Sequence, residues 1–248
     1  MQTIDRAMMV ARILSANEMK RWLSISELSK ECGLPMSSMH RLLQALIKHG
    51  LIQQDQDTKL YSLGNTWMEY GLQMYDSMDF VSLIRPELEK LMHVVQESVY
   101  YSKPIGDESM VVERIDCLNN PIRINDQLGI RIPLHIGAAN KTMLANIPEQ
   151  QAAAIINKAI PAEEQERFRN TLAIIKQKGY AISRGERTNG TTSIASPIFN
   201  HLHELIGAVS IGVVDINLDD ERLEFLKDRV IEAARQISNR LGYAHAKS

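Results

Sequence analysis

Six residues in one short segment, Ser37, Ser38, His40, Arg41, Gln44 and Lys48, have the side chains and spacing to read a nucleic-acid groove. Ser37, Arg41, Gln44 and Lys48 recur every three or four positions, which places them on one stripe of a helix, with Ser38 and His40 flanking it. Each can hydrogen-bond to phosphate oxygens or base edges. Met39, Leu42, Leu43 and Leu46 form an apolar stripe that must face a core. An ordinary amphipathic helix with a solvated polar face shows the same two stripes, so the neighbouring elements decide between the readings.

Pro35 suits a first helical position, where its missing N–H has no partner to lose. Before it, Ile25 onward reads as a shorter helix ending in a Cys-Gly-Leu turn, and Ile4, Ala7, Met8, Ala11 and Leu14 mark a further helix with one apolar face. After it the period changes. Leu51–Gln53 and Leu60–Leu63 are strand-like runs joined by the polar turn Gln54–Lys59, which offers Lys59 as one more cation. Three helices and a hairpin predict a winged helix-turn-helix over residues 1–64, with a recognition helix that starts at Pro35.

The chain has 248 residues and a net charge of −2, and 44% of it is hydrophobic. That is an ordinary composition for a soluble globular protein, long enough to require a second domain. Counted by domain, residues 1–64 hold eight Lys/Arg against six Asp/Glu, a balance of +2, and the remainder carries −4. So small an excess favours two such domains acting on one DNA site, where their phosphate contacts add. The amino terminus runs straight into a charged amphipathic helix, and no apolar run approaches the roughly 18 residues of a membrane span, so the expectation is a cytoplasmic protein with no membrane partner. Cys32 and Cys117 fit no metal-ligand spacing and read as reduced thiols.

Residues 65–79 carry the capping and periodicity of a linker helix beginning at Asn65. Trp67, Met68, Tyr70, Leu72, Met74 and Tyr75 are too many large side chains for a mere connector, so some pack on the winged helix and some meet a partner chain. Residues 80–248 mix periods. Helices are predicted over 80–96, 139–145, 148–158 and 163–178, with a closing helix through Leu223, Leu226, Val230, Ala234, Ile237 and Leu241. Strands are predicted over 98–101, 110–115, 122–124, 130–134, 194–199 and 205–214. The pattern is α+β, a sensor-like domain beside the winged helix. His201 and His203 in the last hairpin turn could suggest a metal, but no third ligand is in view, and exposed histidines are favoured. No nucleophile elbow, phosphate loop or Ser/His/Asp arrangement is recognisable, and His135 beside Lys141 reads as a packing or pocket residue. The expectation is no enzyme, no metal and no cofactor.

Five segments in order, TIDRAMMVARILS, LSKECGLPMSSMHRLLQALIKHGLI, YSLG, IRIPLHIGAANKTMLA and KQKGYAISRGERTNGTTSIASPIF, resemble the IclR family of bacterial transcription regulators over essentially the whole chain. The resemblance implies a winged helix-turn-helix, a dimerising linker helix and a GAF-like effector domain. It implies a homodimer, or a dimer of dimers, on a palindromic or pseudo-palindromic operator. Members commonly repress, and some activate, operons for small organic acids, sugar acids or aromatic acids. It implies an effector cleft near 135–145 and the 183–193 loop. Free N–H groups at Ala138 and Ala139 at a helix start would suit a carboxylate there. Ser193 matches a position that is cysteine in some relatives, Ser183 one that is often acidic, and Ile124 and Ile132 the apolar side.

Two departures stand out. Asn140 replaces a usual glycine, and Asn tolerates unusual backbone angles. The hydroxyl- and amide-rich run Thr188–Ser193, with Asn189, favours a hydroxylated acid such as a sugar acid over a simple aromatic one, while satisfaction of loop backbone is the competing use of those groups. An enzyme acting on such an acid, and an architectural DNA protein without effector, are the rival readings.

Overall fold

Three helices and a hairpin fold around the first of two units into which the chain divides, Met1–Met78 and Asp79–Ser248. The computed structural model describes residues 2–16, 22–76, 79–120, 124 and 127–243. In the first unit α1 is Gln2–Ala16, α2 Ile25–Cys32 and α3 Met36–Lys48, followed by β1 Ile52–Gln54, β2 Tyr61–Leu63 and α4 Thr66–Asp76. Ser24 and Glu27 cap α2 reciprocally, and Gly33 ends it in the left-handed conformation at φ 62°, the turn that sets up α3. Pro35, expected as the first helical residue, is instead the cap of α3, which begins one residue later at Met36.

Val10, Leu14, Leu28, Met39, Leu43, Leu46, Ile52 and Tyr61 form this unit's core. The stripe predicted on α1 is therefore partly wrong. Ile4 is 72% exposed and Met8 38%, while Val10 is buried. The run Met8-Met9-Val10 is apolar around the helix, so a 3.6-residue period does not select which side turns inward. Gly64 ends the hairpin for a steric reason: a Cβ there would lie 2.1 Å from the Gly50 carbonyl oxygen. Trp67 Nε1 donates to Leu51 O at 2.7 Å and Thr66 Oγ1 to His49 O at 3.1 Å, anchoring the start of α4. Beyond that anchor Met68, Tyr70, Leu72, Met74 and Tyr75 are exposed.

In the second unit α5 (Asp79–Val95) leads to β3 (Val99–Ile105), β4 (Glu108–Ile115) and β5 (Arg131–Pro133), then α6 (Ala138–Leu144), α7 (Glu149–Ala159) and α8 (Gln165–Lys178). β6 (Ala181–Arg184), β7 (Thr191–Phe199), β8 (Leu205–Val214) and α9 (Asp220–Arg240) close the chain. The six strands make one sheet in the order β5-β4-β3-β8-β7-β6, with antiparallel neighbours throughout. Ala181, Ala195 and Ala208 pack with α6, α7 and α8 on one face, and by alternation Ile194, Val209 and Ile211 point to the other, where α5 and α9 lie. The mixture of helices on an antiparallel sheet is the α+β class the sequence predicts.

β6 is missing from the predicted strands. The stretch 183–193 reads as a loop because its apolar content is low, yet its two ends pair Ser183 with Ser193 and only 185–190 is loop. A strand predicted at 122–124 falls mainly outside the described residues, and Ile124 itself lies in no strand.

Candidate functional site

Two surfaces carry the residues singled out by chemistry. On α3, Ser37, His40, Arg41, Gln44 and Lys48 are exposed and Ser38 is half-buried, opposite Met39, Leu43 and Leu46, which are buried. Lys59 is exposed in the β1–β2 turn, with φ 58°. That turn is built by Asp55, whose carboxylate accepts from the Thr58 N–H and hydroxyl, each at 2.7 Å, and from the Asp57 N–H at 3.2 Å. These bonds hold the Asp55 carboxyl below its ordinary pKa.

The second surface is a cavity inside the α+β unit. Strand register assembles its floor: Ser183 pairs with Ser193, Ser193 with Gly212, and Tyr100 with Ser210, so alternate residues of four strands face one side. Ser102, Thr188 and Thr191 bring its serine and threonine hydroxyls to six, beside the Tyr100 phenol, while Val111, Ile124, Ile132 and Ile136 supply an apolar wall, and Gly137, Ala138, Ala139 and Asn140 close it from the start of α6. The cavity holds about 80 Å³, against roughly 10–15 Å³ for one water on a comparable measure, which suits a ligand of a few carbon atoms. Tyr100 Oη donates to Ile124 O. Gly212 lies under that residue, since a Cβ on it would sit 3.0 Å from Ile124 Cδ1.

Donors at the start of α6 are already in use. The Gly137 N–H donates to Glu186 Oε2 at 2.9 Å, the Ala138 N–H to Ser193 Oγ at 3.3 Å, and Lys141 Nζ pairs with Glu186 Oε1. Burial raises the Glu186 carboxyl, but hydrogen bonds from Lys141, Gly137 and Ser183 outweigh it, and the net pKa lies below the ordinary value.

The chain matches the IclR helix-turn-helix domain over residues 3–56 and the bacterial transcriptional regulator IclR C-terminal domain over residues 72–239. It belongs to the IclR family. Among curated IclR relatives, it is 30% identical to the HTH-type transcriptional regulator KipR of Bacillus subtilis, covering 89% of this chain and 90% of that one. It is 26% identical to the HTH-type transcriptional repressor AllR of Escherichia coli, covering 88% and 83%. Of solved structures, an IclR homolog from Microbacterium hydrocarbonoxydans in complex with 4-hydroxybenzoate superposes with a TM-score of 0.79 at 21% identity, over 96% and 98% of the two chains. The protein is thus a DNA-binding transcription regulator, as the family and its relatives are, and not an enzyme.

Within this IclR chain the structure brings together Ile124, Ile132, Ala138, Ala139, Ser183 and Ser193 around the cavity. Asn189 is not among its lining residues and is exposed. The 185–190 loop lines the cavity through Gly185, Glu186, Arg187 and Thr188 instead. Asn140 also differs from expectation. Its backbone is helical, with no positive φ, and its side chain explains it: Nδ2 donates to Ile136 O at 2.7 Å and Pro133 O at 3.3 Å, and Oδ1 accepts from Ser109 Oγ at 2.5 Å. Sequence reasoning missed Glu186, Ser102 and Ser210. Glu186 lies 45 positions from Lys141, so nothing local in the sequence marks the pair, and the two serines become legible only once the strand register is known. His201 and His203 are exposed in the β7–β8 turn, where His203 meets Tyr243 edge-on at 4.7 Å. Among the described residues no helix is long and apolar enough to cross a membrane.

Proposed function

We propose that this IclR-family regulator is a repressor of a catabolic or uptake operon, released or tightened on its operator by a small organic acid held in the cavity. Ser37, Ser38, His40, Arg41, Gln44 and Lys48 on α3, with Lys59 in the hairpin, are the residues proposed to contact DNA. The observation that carries the effector half is the cavity itself, enclosed within one unit, a few carbon atoms in capacity, and lined by six serine and threonine hydroxyls against an apolar wall. Such a lining matches a hydroxylated carboxylate such as a sugar acid better than a bare aromatic acid, and the 4-hydroxybenzoate carried by a relative is itself an acid with a hydroxyl. Two copies acting on a palindromic or pseudo-palindromic site are proposed because the winged unit is only weakly basic and because exposed apolar residues on α1 and α4 are suited to a second copy. A dimer of dimers extends the same argument.

An acid effector acts only through differential affinity for two arrangements of the DNA-binding units, and a coupling of about 1–3 kcal/mol gives roughly a 5- to 150-fold change in operator affinity. A thermal-shift screen with pyruvate, glyoxylate, sugar acids and aromatic acids, followed by operator binding with each hit, tests the reading. A hit that also moves operator affinity supports it. A hit converted to product by the protein, or a hit without effect on operator binding, refutes it.

A further inference from the structure

Lys141 is 9% exposed, and its ion pair is with Glu186, a residue on the loop 185–190 that forms one wall of the cavity. The same carboxylate takes the Gly137 N–H at 2.9 Å, and Ser183 lines the cavity beside it. An ammonium and a backbone N–H therefore converge on one carboxylate that lines a cavity sized for a small acid. The loop that delivers it is a strand-to-strand connection with a glycine at each end, Gly185 at φ 67° and Gly190 at φ 73°, closed by a hydrogen bond from the Gly185 N–H to Thr191 O at 2.8 Å. Glycines in the left-handed region give such a loop two positions able to change conformation at little steric cost.

From this arrangement we infer that Glu186 is an internal stand-in for the effector's carboxylate: an entering acid exchanges with it on Lys141 and Gly137, and Glu186 leaves with its loop. The inference rests on the proposed acid effector. A buried ammonium needs a carboxylate partner at all times, since leaving it unpaired is costly, so the exchange is of one partner for another. Selectivity follows. A neutral amide or ester of the same acid cannot replace Glu186, and an acid must out-compete a carboxylate already tethered at high local concentration.

Acetate serves as a probe independent of the natural effector. Full-length wild-type protein, Glu186→Gln and Glu186→Gln/Lys141→Met are melted in sodium acetate and in sodium chloride at equal ionic strength. For a dissociation constant of about 10 mM, 100 mM acetate raises the melting temperature of the Glu186→Gln unit by roughly 3–5 °C over chloride. Wild type shows no such gain, and the double variant loses it. An equal acetate effect in wild type and Glu186→Gln, or none in Glu186→Gln, overturns the inference. Any acid found to bind wild type is then titrated into Glu186→Gln, where its affinity should rise at least tenfold. Unchanged affinity there refutes the exchange and leaves the effector reading intact, and weaker affinity makes Glu186 a direct ligand of the effector. An acetate response in Glu186→Gln with no acid effector for the wild type supports the exchangeable site while refuting the effector reading.

Discussion

Replacing Asn140 should damage this protein. Its amide is 3% exposed and joins three elements: Nδ2 reaches Ile136 O and, more weakly, Pro133 O, and Oδ1 holds the hydroxyl of Ser109 on β4. Asn140→Ala deletes two well-formed hydrogen bonds and strands a half-buried carbonyl and the buried Ser109 hydroxyl, which retains only a long alternative to Ile132 O at 3.5 Å. At about 1–1.5 kcal/mol for each such loss, the cost is roughly 2–3 kcal/mol. Asn140→Gly adds about 1 kcal/mol for glycine within a helix, giving roughly 3–4 kcal/mol. In a unit of this size each kcal/mol lowers the melting temperature by about 2–4 °C, so Asn140→Ala should melt roughly 4–12 °C below wild type. Urea unfolding of Asn140→Ala, Ser109→Ala and the pair gives the coupling directly, expected at about 1 kcal/mol or more. If Asn140→Ala lies within about 0.5 kcal/mol of wild type and the pair is additive, the network does not hold α6 to β4 and the reasoning fails.

Arg41→Ala, if the residue meets one phosphate in each of two half-sites, should reduce the salt-dependence slope of operator binding by about 1.8, or relax one base position by about 1–3 kcal/mol per half-site if it reads a base; unaltered affinity and slope by fluorescence anisotropy would remove it from the interface. Glu186 has a folded pKa below the ordinary 4.5, so its contribution is present above that value and lost as the pH falls through the lower folded value. Melting curves of Glu186→Gln should accordingly fall less steeply than wild type below about pH 4.5, and parallel curves would contradict the assignment. Gly207→Ala would place a Cβ 2.4 Å from Ser102 O and 2.6 Å from the buried Tyr101 ring; destabilisation of about 3 kcal/mol is expected, and a fully stable variant would show that β3 and β8 yield there.

What the sequence makes legible is whatever depends on a period. The α3 stripe, the α5 stripe of Val81, Ile84, Leu88, Leu91 and Val95, and the β7–β8 hairpin all follow from the alternation of apolar and polar residues. Elements whose residues serve short-range chemistry leave no such trace. β6 has four residues ending in Ser183 and Arg184, and its existence depends on pairing with β7. Asn140 reads as a backbone accommodation because one residue in isolation does not reveal the carbonyls 4 and 7 positions before it that its amide satisfies. The cavity was legible in its walls and not in its charges. Ser183 and Ser193 mark its floor, but the carboxylate that consumes the donors comes from Glu186, 45 positions from Lys141.

That last pairing changes how binding energy becomes regulation. If the start of α6 were an open anion site, an acid would gain its whole electrostatic interaction on entry, and tight binding need move nothing. With Glu186 already in place, most of the attraction to Lys141 cancels between the two states, because one carboxylate replaces another. What remains is the cavity's contact with the rest of the ligand, its hydroxyls against Ser102, Ser193 and Ser210 and its carbons against Ile124 and Ile132, set against release of the 185–190 loop. A ligand with only a carboxylate lacks those contacts and cannot open the loop, however strongly the charge attracts it. The free energy available for coupling then comes from the part of the acid that distinguishes it from other acids, so recognition and switching draw on the same contacts.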